Sequence, residues 1–374
     1  MIMDTKAKQT RISEQRKKKL CRVYKSKPQI GLVLGAGVTC DSEVPLYLKL
    51  TLDLCKLALQ KNLLRSEAPR NVMNFLETQE KLALKDYKKV TQVMNSLQIT
   101  PDEIVLFLKT YLENKQELAK HIRKTLFSKV IPRKMDRVSA KLFENGKNDT
   151  LKSILCFCAA RVGSVLVPNS KHRIETNPKV GGILTTNYDN LVEGAFGTKF
   201  RRKNMLKPVG RVTSRESLKD RRVIPVYHIH GYVSYVAHED DLEDRRVSEM
   251  LVIAEDDYFE RFYDPMGFSS YVAMSFLRRF PCLFIGSEMK DKNIRRFLYH
   301  LCKERGDCYK NPNHFAILKK RGVSRDAFMD SILLSYGVST IWIEDYNKIP
   351  EILRDVYTSE EGVEPKDWKY LRNF

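Results

Sequence analysis

Two kinds of hydrophobic spacing divide the chain. Short apolar runs occur at 30–34 (IGLVL), 181–184 (GGIL), 222–229 (RVIPVYHI), 250–253 (MLVI), 280–285 (FPCLFI), 314–318 (HFAIL) and 338–343 (VSTIWI). Most give way to a glycine, a threonine pair or a polar cluster. Runs of this length read as strands buried on both faces. Apolar residues at helical spacing fill the intervals. They lie at 46–64, in the acidic-opened stretch ending at 263, in 287–304, between 320 and 338, and in a last segment containing IPEILRDVY. Strands alternating with helices predict an α/β fold with a mostly parallel sheet and helices on both faces.

One long interval breaks the alternation. From about 71 to 167 there is no strand signal, whereas EIVLFLKTYL (103–112), ELAKHIRKTLF (117–127) and LKSILCFCAARV (151–162) all carry helical spacing. Pro101-Asp102 opens one of these helices, with Thr100 as N-cap and Glu103 in the first turn. The pattern predicts a helical insertion over about 65–175 within an α/β domain of 29–374. Polar stretches near 66–71, 144–149 and 168–180 punctuate it, and His172 in the last reads as a loop histidine.

Charge changes the picture more than composition does. The 374 residues are 43% hydrophobic and 30% charged, a globular balance with enough chain for one large domain or two smaller ones. Lys and Arg number 66 against 46 Asp and Glu, net +20, and the excess is local. Residues 1–28 and the loop 198–222 each hold ten basic and two acidic residues, net +8 apiece. Each is either a solvated segment or a contact for a polyanion such as DNA. The first reads as a basic N-terminal arm, partly helical or disordered. The first twenty residues have no apolar h-region, and no apolar run reaches membrane-span length, so a cytoplasmic protein without membrane contact is expected. None of the eight cysteines (21, 40, 55, 156, 158, 282, 302, 308) forms a C-x-x-C pair. Reduced thiols and no metal are expected, with Cys156 and Cys158 in the core.

The candidate chemistry gathers where apolar runs end. Gly35-Ala36-Gly37 follows the first run, and a helix follows it. This is either a plain tight turn or a turn that admits a pyrophosphate to a helix N-terminus. Asn187 and Asp189 follow the second run. Asn187 either caps the next helix or does chemistry, and Asp189 either favours the helix dipole or lines a site. His228 and His230 close the third run, and one of them is expected to be a core or supporting histidine; His230, before Gly231, is the better catalytic candidate. Gly286 ends the fifth run. In a parallel sheet these strand ends border one crevice. No Ser-His-Asp set, H-E-x-x-H or P-loop lysine is present. Asn and His suit cleavage of a glycosidic bond, where a polar group orients ribose or water and a base polarises a hydroxyl.

Together the motifs resemble the sirtuin (SIR2) superfamily, and most strongly its bacterial SIR2-like branch associated with anti-phage defence. GAGVTCDSEVP is similar to the family's GAGxS…GxP turn, and TTNYDNLVE to its TTNYD-x-L-x-E signature. HIHG is similar to the His-Gly motif, LVIAEDDYFERF to an acidic-Tyr segment, and GSEMKDKNIRRF to the G-x-S-x-x-D-x-N-x-x-R ending. The resemblance implies a Rossmann-like NAD-binding domain. It implies catalytic Asn187 and His230, with Asp189 supporting the ribose pocket. Gly35, Ala36, Gly37 and Thr39 would line the phosphates, and Gly286, Asp291 and Asn293 the adenosine half. It further implies NAD+ glycohydrolase activity that depletes NAD+ in abortive infection, held in check by a partner or nucleic-acid signal. A homo-oligomer and a HerA-like ATPase/translocase partner follow by the same analogy. Thr39 stands for the usual Ser, Glu43 for a common Gly, and Glu288 for the last motif's Ser, which brings a negative charge toward a phosphate-bearing ligand. The four-cysteine zinc module of the deacylases is missing, which disfavours deacylation. A nucleotide-, ADP-ribose- or nucleic-acid-binding subunit without catalysis is the alternative. ADP-ribosyl transfer and a nuclease rank lower.

Overall fold

The computed structural model describes residues 2–39, 44–61, 63–85, 87–112, 118–127, 148–159, 179–195, 209–212, 224–233, 251–264 and 267–361. Cys40, Glu43, His172, the acidic loop 239–244 and most of the basic loop 198–222 lie outside the described residues.

Seven strands form one sheet: β1 (Ile30–Leu34), β2 (Val180–Thr185), β3 (Val209–Val212), β4 (Ile224–His228), β5 (Cys282–Ile285), β6 (His314–Lys319) and β7 (Val338–Ile343). Their order is β3-β4-β2-β1-β5-β6-β7 and every pairing is parallel. The chain builds β2, β3 and β4 on one side of β1, then crosses to build β5, β6 and β7 on the other. The direction of winding therefore reverses beside β1, where such folds open a crevice at the strand carboxyl ends. The alternation of side chains sorts the core into two layers. Leu32, Leu34, Ile183, Val226 and Ile285 face one, and Val33, Leu184, Phe284 and Ala316 the other.

The second layer is closed by α8 (Glu255–Phe262), α9 (Phe268–Arg279), α10 (Lys292–Arg305) and α11 (Val323–Ser335), through Phe262, Phe276, Phe297 and Leu333. The first layer takes α1 (Ile2–Ser26), α2 (Tyr47–Gln60) and α12 (Ile349–Glu361) together with the inserted helices. These are α3 (Arg70–Lys85), α4 (Tyr87–Ser96), α5 (Pro101–Tyr111), α6 (Leu118–Leu126) and α7 (Asp149–Ala159). Thr100 caps α5 in a full capping box: the Glu103 amide donates to its hydroxyl and its own amide donates to Glu103. Cys156 and Cys158 are buried in α7.

The basic N-terminal residues form a docked helix. Leu20 and Tyr24 are buried, and Tyr24 packs on Phe157 with ring centroids 5.1 Å apart. β7 is an edge strand, and α1 satisfies part of its open row. The Trp342 amide donates to Ser13 at 3.1 Å, and Arg16 donates to the Thr340 carbonyl at 3.0 Å and to Asp330. Arg11, Lys18, Arg22 and Lys25 remain exposed.

Two expectations change. The run at 250–253 is not a sheet strand. Val252 and Ile253 are buried, but their carbonyls accept from the Tyr188 hydroxyl (2.6 Å) and the Tyr47 hydroxyl, while the Val252 amide donates to the His230 carbonyl at 3.0 Å. Tyrosine hydroxyls and the His230 carbonyl replace a ladder, which apolar periodicity cannot reveal. The seventh strand is instead β3, inside the basic loop, where a four-residue run among arginines and lysines gives little hydrophobic signal.

Candidate functional site

The crevice is built first by backbone. At the end of β1 the Gly37 amide donates to the Gly286 carbonyl at 2.9 Å, and Gly35 to Ile285 at 3.0 Å. A Cβ on Gly35 would lie 2.7 Å from the Gly286 oxygen; one on Gly37, 2.8 Å from it. Gly286 has φ +68, and a Cβ there would lie 2.5 Å from the Val38 nitrogen. The three glycines thus let two strand-end loops touch main chain to main chain. The plain-turn reading and the pyrophosphate reading are not exclusive: the contact itself needs glycine and fixes the turn. Asn148, which caps α7, also holds the Val38 carbonyl at 2.9 Å and ties the insertion to this turn.

One side-chain cluster sits past β2. The Thr39 hydroxyl donates to Asp189 at 2.9 Å, and the Asn187 side-chain amide lies 3.5 Å from that hydroxyl. Asp189 also accepts from the Leu191 amide at 3.1 Å, so it does serve the helical turn 191–195. Burial raises the Asp189 carboxyl above the usual range despite these donors. Asn187 is not an N-cap here: its own amide donates to Thr185, and its side chain points to Thr39. Beneath it, His228 contacts Glu193 at 2.7 Å and the Asn187 carbonyl at 3.2 Å. Burial alone would lower the His228 pKa, but the Glu193 carboxylate and the Asn187 carbonyl outweigh it and raise it. His228 is a supporting residue that holds the Asn187 main chain.

His230 belongs to a second cluster on the other face. Its Nε2 lies 3.3 Å from Asp291, and its ring meets Tyr258 and Phe262 edge-on at 5.5 and 5.4 Å. Asp291 also caps α10 by accepting from the Asn293 and Ile294 amides. Burial would raise its carboxyl, but His230 and those amides hold it below the usual range. The structure places Asp291 against the histidine, with Asn293 beside it in the first turn of α10. Gly286 sits at the glycine turn. Glu288, two residues on, pairs with Lys290 and Arg321, which offset its charge.

Asn187, Asp189 and His230 are each about 5% exposed. No hydrogen bond joins Asn187 to His230. Among the described residues, Asn187 Oδ1 is a buried atom without a hydrogen-bond partner, and His230 Nε2 has none beyond its 3.3 Å ion-pair contact with Asp291. Leaving such an atom unsatisfied costs about 1–3 kcal/mol, and a ligand placed between the two clusters would meet both. Sequence reasoning missed Tyr47 on α2, whose hydroxyl bonds the Ile253 carbonyl beside the site; Tyr258 on α8, against the His230 ring, is the tyrosine of the acidic-Tyr segment.

Residues 181–341 match the family model described as a SIR2-like domain. The match covers somewhat under half of the chain. It includes Asn187, Asp189, His230, Gly286, Asp291 and Asn293; β1, its glycine turn and the helical insertion lie outside it. A search of curated proteins finds no match. The fold and site are those of an α/β, Rossmann-like protein, and its carboxyl-terminal half is similar to SIR2-like domains. Among the described residues no helix is long and apolar enough to cross a membrane, and no three His, Cys, Asp or Glu side chains group to hold a metal ion.

Proposed function

We propose that the protein is an NAD+ glycohydrolase, cleaving NAD+ with water to nicotinamide, ADP-ribose and a proton. The observation that carries this reading is the buried Asn187 Oδ1, without a hydrogen-bond partner, across the crevice at the β1 switch point from His230, whose Nε2 has only its 3.3 Å ion-pair contact with Asp291. The SIR2-like match over 181–341 supports NAD as the ligand class. So do the glycine turn packed on Gly286 and the offset charge of Glu288, which leaves no net repulsion toward a diphosphate there.

In this reading the glycosidic bond breaks with its electron pair leaving on nicotinamide, and positive charge develops on the ribose. Asn187 orients the ribose and the attacking water through its free carbonyl oxygen. Thr39 and Asp189 hold the Asn187 side chain at that angle. His230 accepts a proton from a ribose hydroxyl or from the water, and Asp291 steadies the ring and the imidazolium that forms. The missing four-cysteine module disfavours an acyl-peptide acceptor through the resemblance alone, and the assay below separates the two acceptors by product.

The resemblance further supports a role in anti-phage defence by NAD+ depletion. There the activity would be kept off until a HerA-like partner or nucleic acid engages a homo-oligomer, and the exposed basic residues of α1 are available for such a contact. The test is incubation of purified protein with NAD+, with and without DNA, and chromatographic separation of products. Free nicotinamide with ADP-ribose from the wild type, and neither from Asn187→Ala or His230→Ala, is the expected result. Full turnover by both variants refutes the assignment. Binding of ADP-ribose without turnover under any condition leaves a binding subunit.

A further inference from the structure

The ring and the main chain of His230 lean on one stretch of chain, 252–262. Tyr258 and Phe262 of α8 meet the ring edge-on, and the Val252 amide donates to the His230 carbonyl at 3.0 Å. The start of this stretch is not a sheet strand, so no ladder fixes it and side chains must. Tyrosine hydroxyls take two of its carbonyls, Tyr188 at Val252 and Tyr47 at Ile253. Its amides go to a carboxylate: Asp257 Oδ2 accepts from Ile253 at 3.0 Å and from Ala254 at 2.9 Å.

The other oxygen of Asp257 accepts from Lys109 at 2.6 Å. Lys109 also donates to both oxygens of Asp256, at 2.9 and 2.8 Å. It stands on α5, in the helical insertion, 147 residues before Asp256. Among the described residues no other lysine or arginine forms an ion pair with either acid. The side chains of Lys109 and Asp257 are 20% and 15% exposed, against 68% and 51% for the exposed Lys81–Glu77 pair on α3. The Lys109 clamp is therefore the less screened of the two, and it joins two elements where the other decorates one helix. Burial alone would lower the Lys109 pKa, but the two aspartates outweigh it and raise it, so the lysine is charged at neutral pH.

We infer that Lys109, supplied by the helical insertion, is a positioning residue for His230. It fixes Asp257, Asp257 fixes the segment 252–254, and that segment with α8 fixes the carbonyl and the ring of the histidine. How the insertion docks thus sets the geometry of the site, and drawing α5 away releases His230 without touching the crevice. The catalytic use of His230 rests on the glycohydrolase reading; its positioning by Lys109 does not.

The experiment uses the full chain and a histidine-ring NMR spectrum. Seven histidines keep that spectrum sparse, and the His230 signal is the one missing from His230→Gln. Lys109→Ala and Asp257→Asn are compared with Lys17→Ala, which breaks a 3.2 Å pair with Asp355 between α1 and α12. Asp257→Asn keeps an oxygen for the two amides and loses only the charge. Melting curves show which variants fold, and if Lys109→Ala does not, Asp257→Asn decides alone. The expected result is a His230 signal that shifts and broadens in Lys109→Ala and Asp257→Asn, returns in Lys109→Arg and holds in Lys17→Ala. With NAD+, kcat should fall about ten- to a hundredfold in Lys109→Ala with KM little changed. An unmoved His230 signal in the folded variants overturns the inference, as does equal movement in Lys17→Ala. A signal that moves as expected, in proteins that never turn over NAD+, upholds the inference while the glycohydrolase reading fails.

Discussion

Replacing Gly286 by alanine tests the contact on which the crevice is built, and Gly306→Ala supplies its control. Both glycines have nearly the same backbone, φ +68 and φ +75. They differ in surroundings: a Cβ at 306 meets nothing within 4 Å, whereas one at 286 lies 2.5 Å from the Val38 nitrogen and 2.7 Å from its Cγ2. The left-handed conformation costs an L-residue about 1–2 kcal/mol at either site. Overpacking at Gly286 adds about 1–3 kcal/mol, because the obstacle is main chain and cannot rotate away. Thermal and urea unfolding of the two variants should therefore differ by about 1–3 kcal/mol, the 286 variant being the weaker. Displacing Val38 also moves Thr39, so ADP-ribose affinity should fall in Gly286→Ala and hold in Gly306→Ala. Equal destabilisation of the two, with ADP-ribose affinity intact, refutes the main-chain contact between the β1 and β5 loops.

Other perturbations follow from the same geometry. Asn187→Ala removes an unsatisfied buried oxygen, so its unfolding free energy should hold or rise, by up to about 2 kcal/mol, while turnover is lost. Glu193→Gln should destabilise by about 1–3 kcal/mol, since His228 is left buried without its counter-charge. The sign of its pH dependence is fixed. The His228 pKa is raised on folding, so its contribution is complete below its ordinary 6.5 and is lost as pH rises through the folded value; unfolding of the variant should lack that slope. Arg16→Ala breaks the Asp330 pair and the Thr340 carbonyl bond at the β7 edge, and urea unfolding should report a loss of about 1–3 kcal/mol.

Much of the sheet is legible in the chain because its strands are buried on both faces and read as unbroken apolar runs. Six of the seven strands stand out this way. The failures have one cause. Apolar runs report burial, not pairing, so 250–253 reads as a strand although tyrosine hydroxyls take its carbonyls, and β3 is invisible among basic residues. The strand-end rule brings Thr39, Asn187 and Asp189 into one cluster. Residues two apart on a strand share a face, so His228 and His230 part only because β4 ends at His228 and His230 lies in the turn beyond it. The partners that matter to His230 could not be read the same way. Asp291 belongs to the last motif, some sixty residues on, and only the fold brings it to the histidine.

The most direct test of the central claim is a crystal structure of the Asn187→Ala protein soaked with NAD+. The account predicts the nicotinamide ribose in the crevice between residue 187 and His230, its diphosphate at the Gly35–Gly37 turn, and a ribose hydroxyl within hydrogen-bond distance of His230 Nε2. Dinucleotide bound elsewhere on the chain, with no ribose hydroxyl at His230 Nε2, would contradict it.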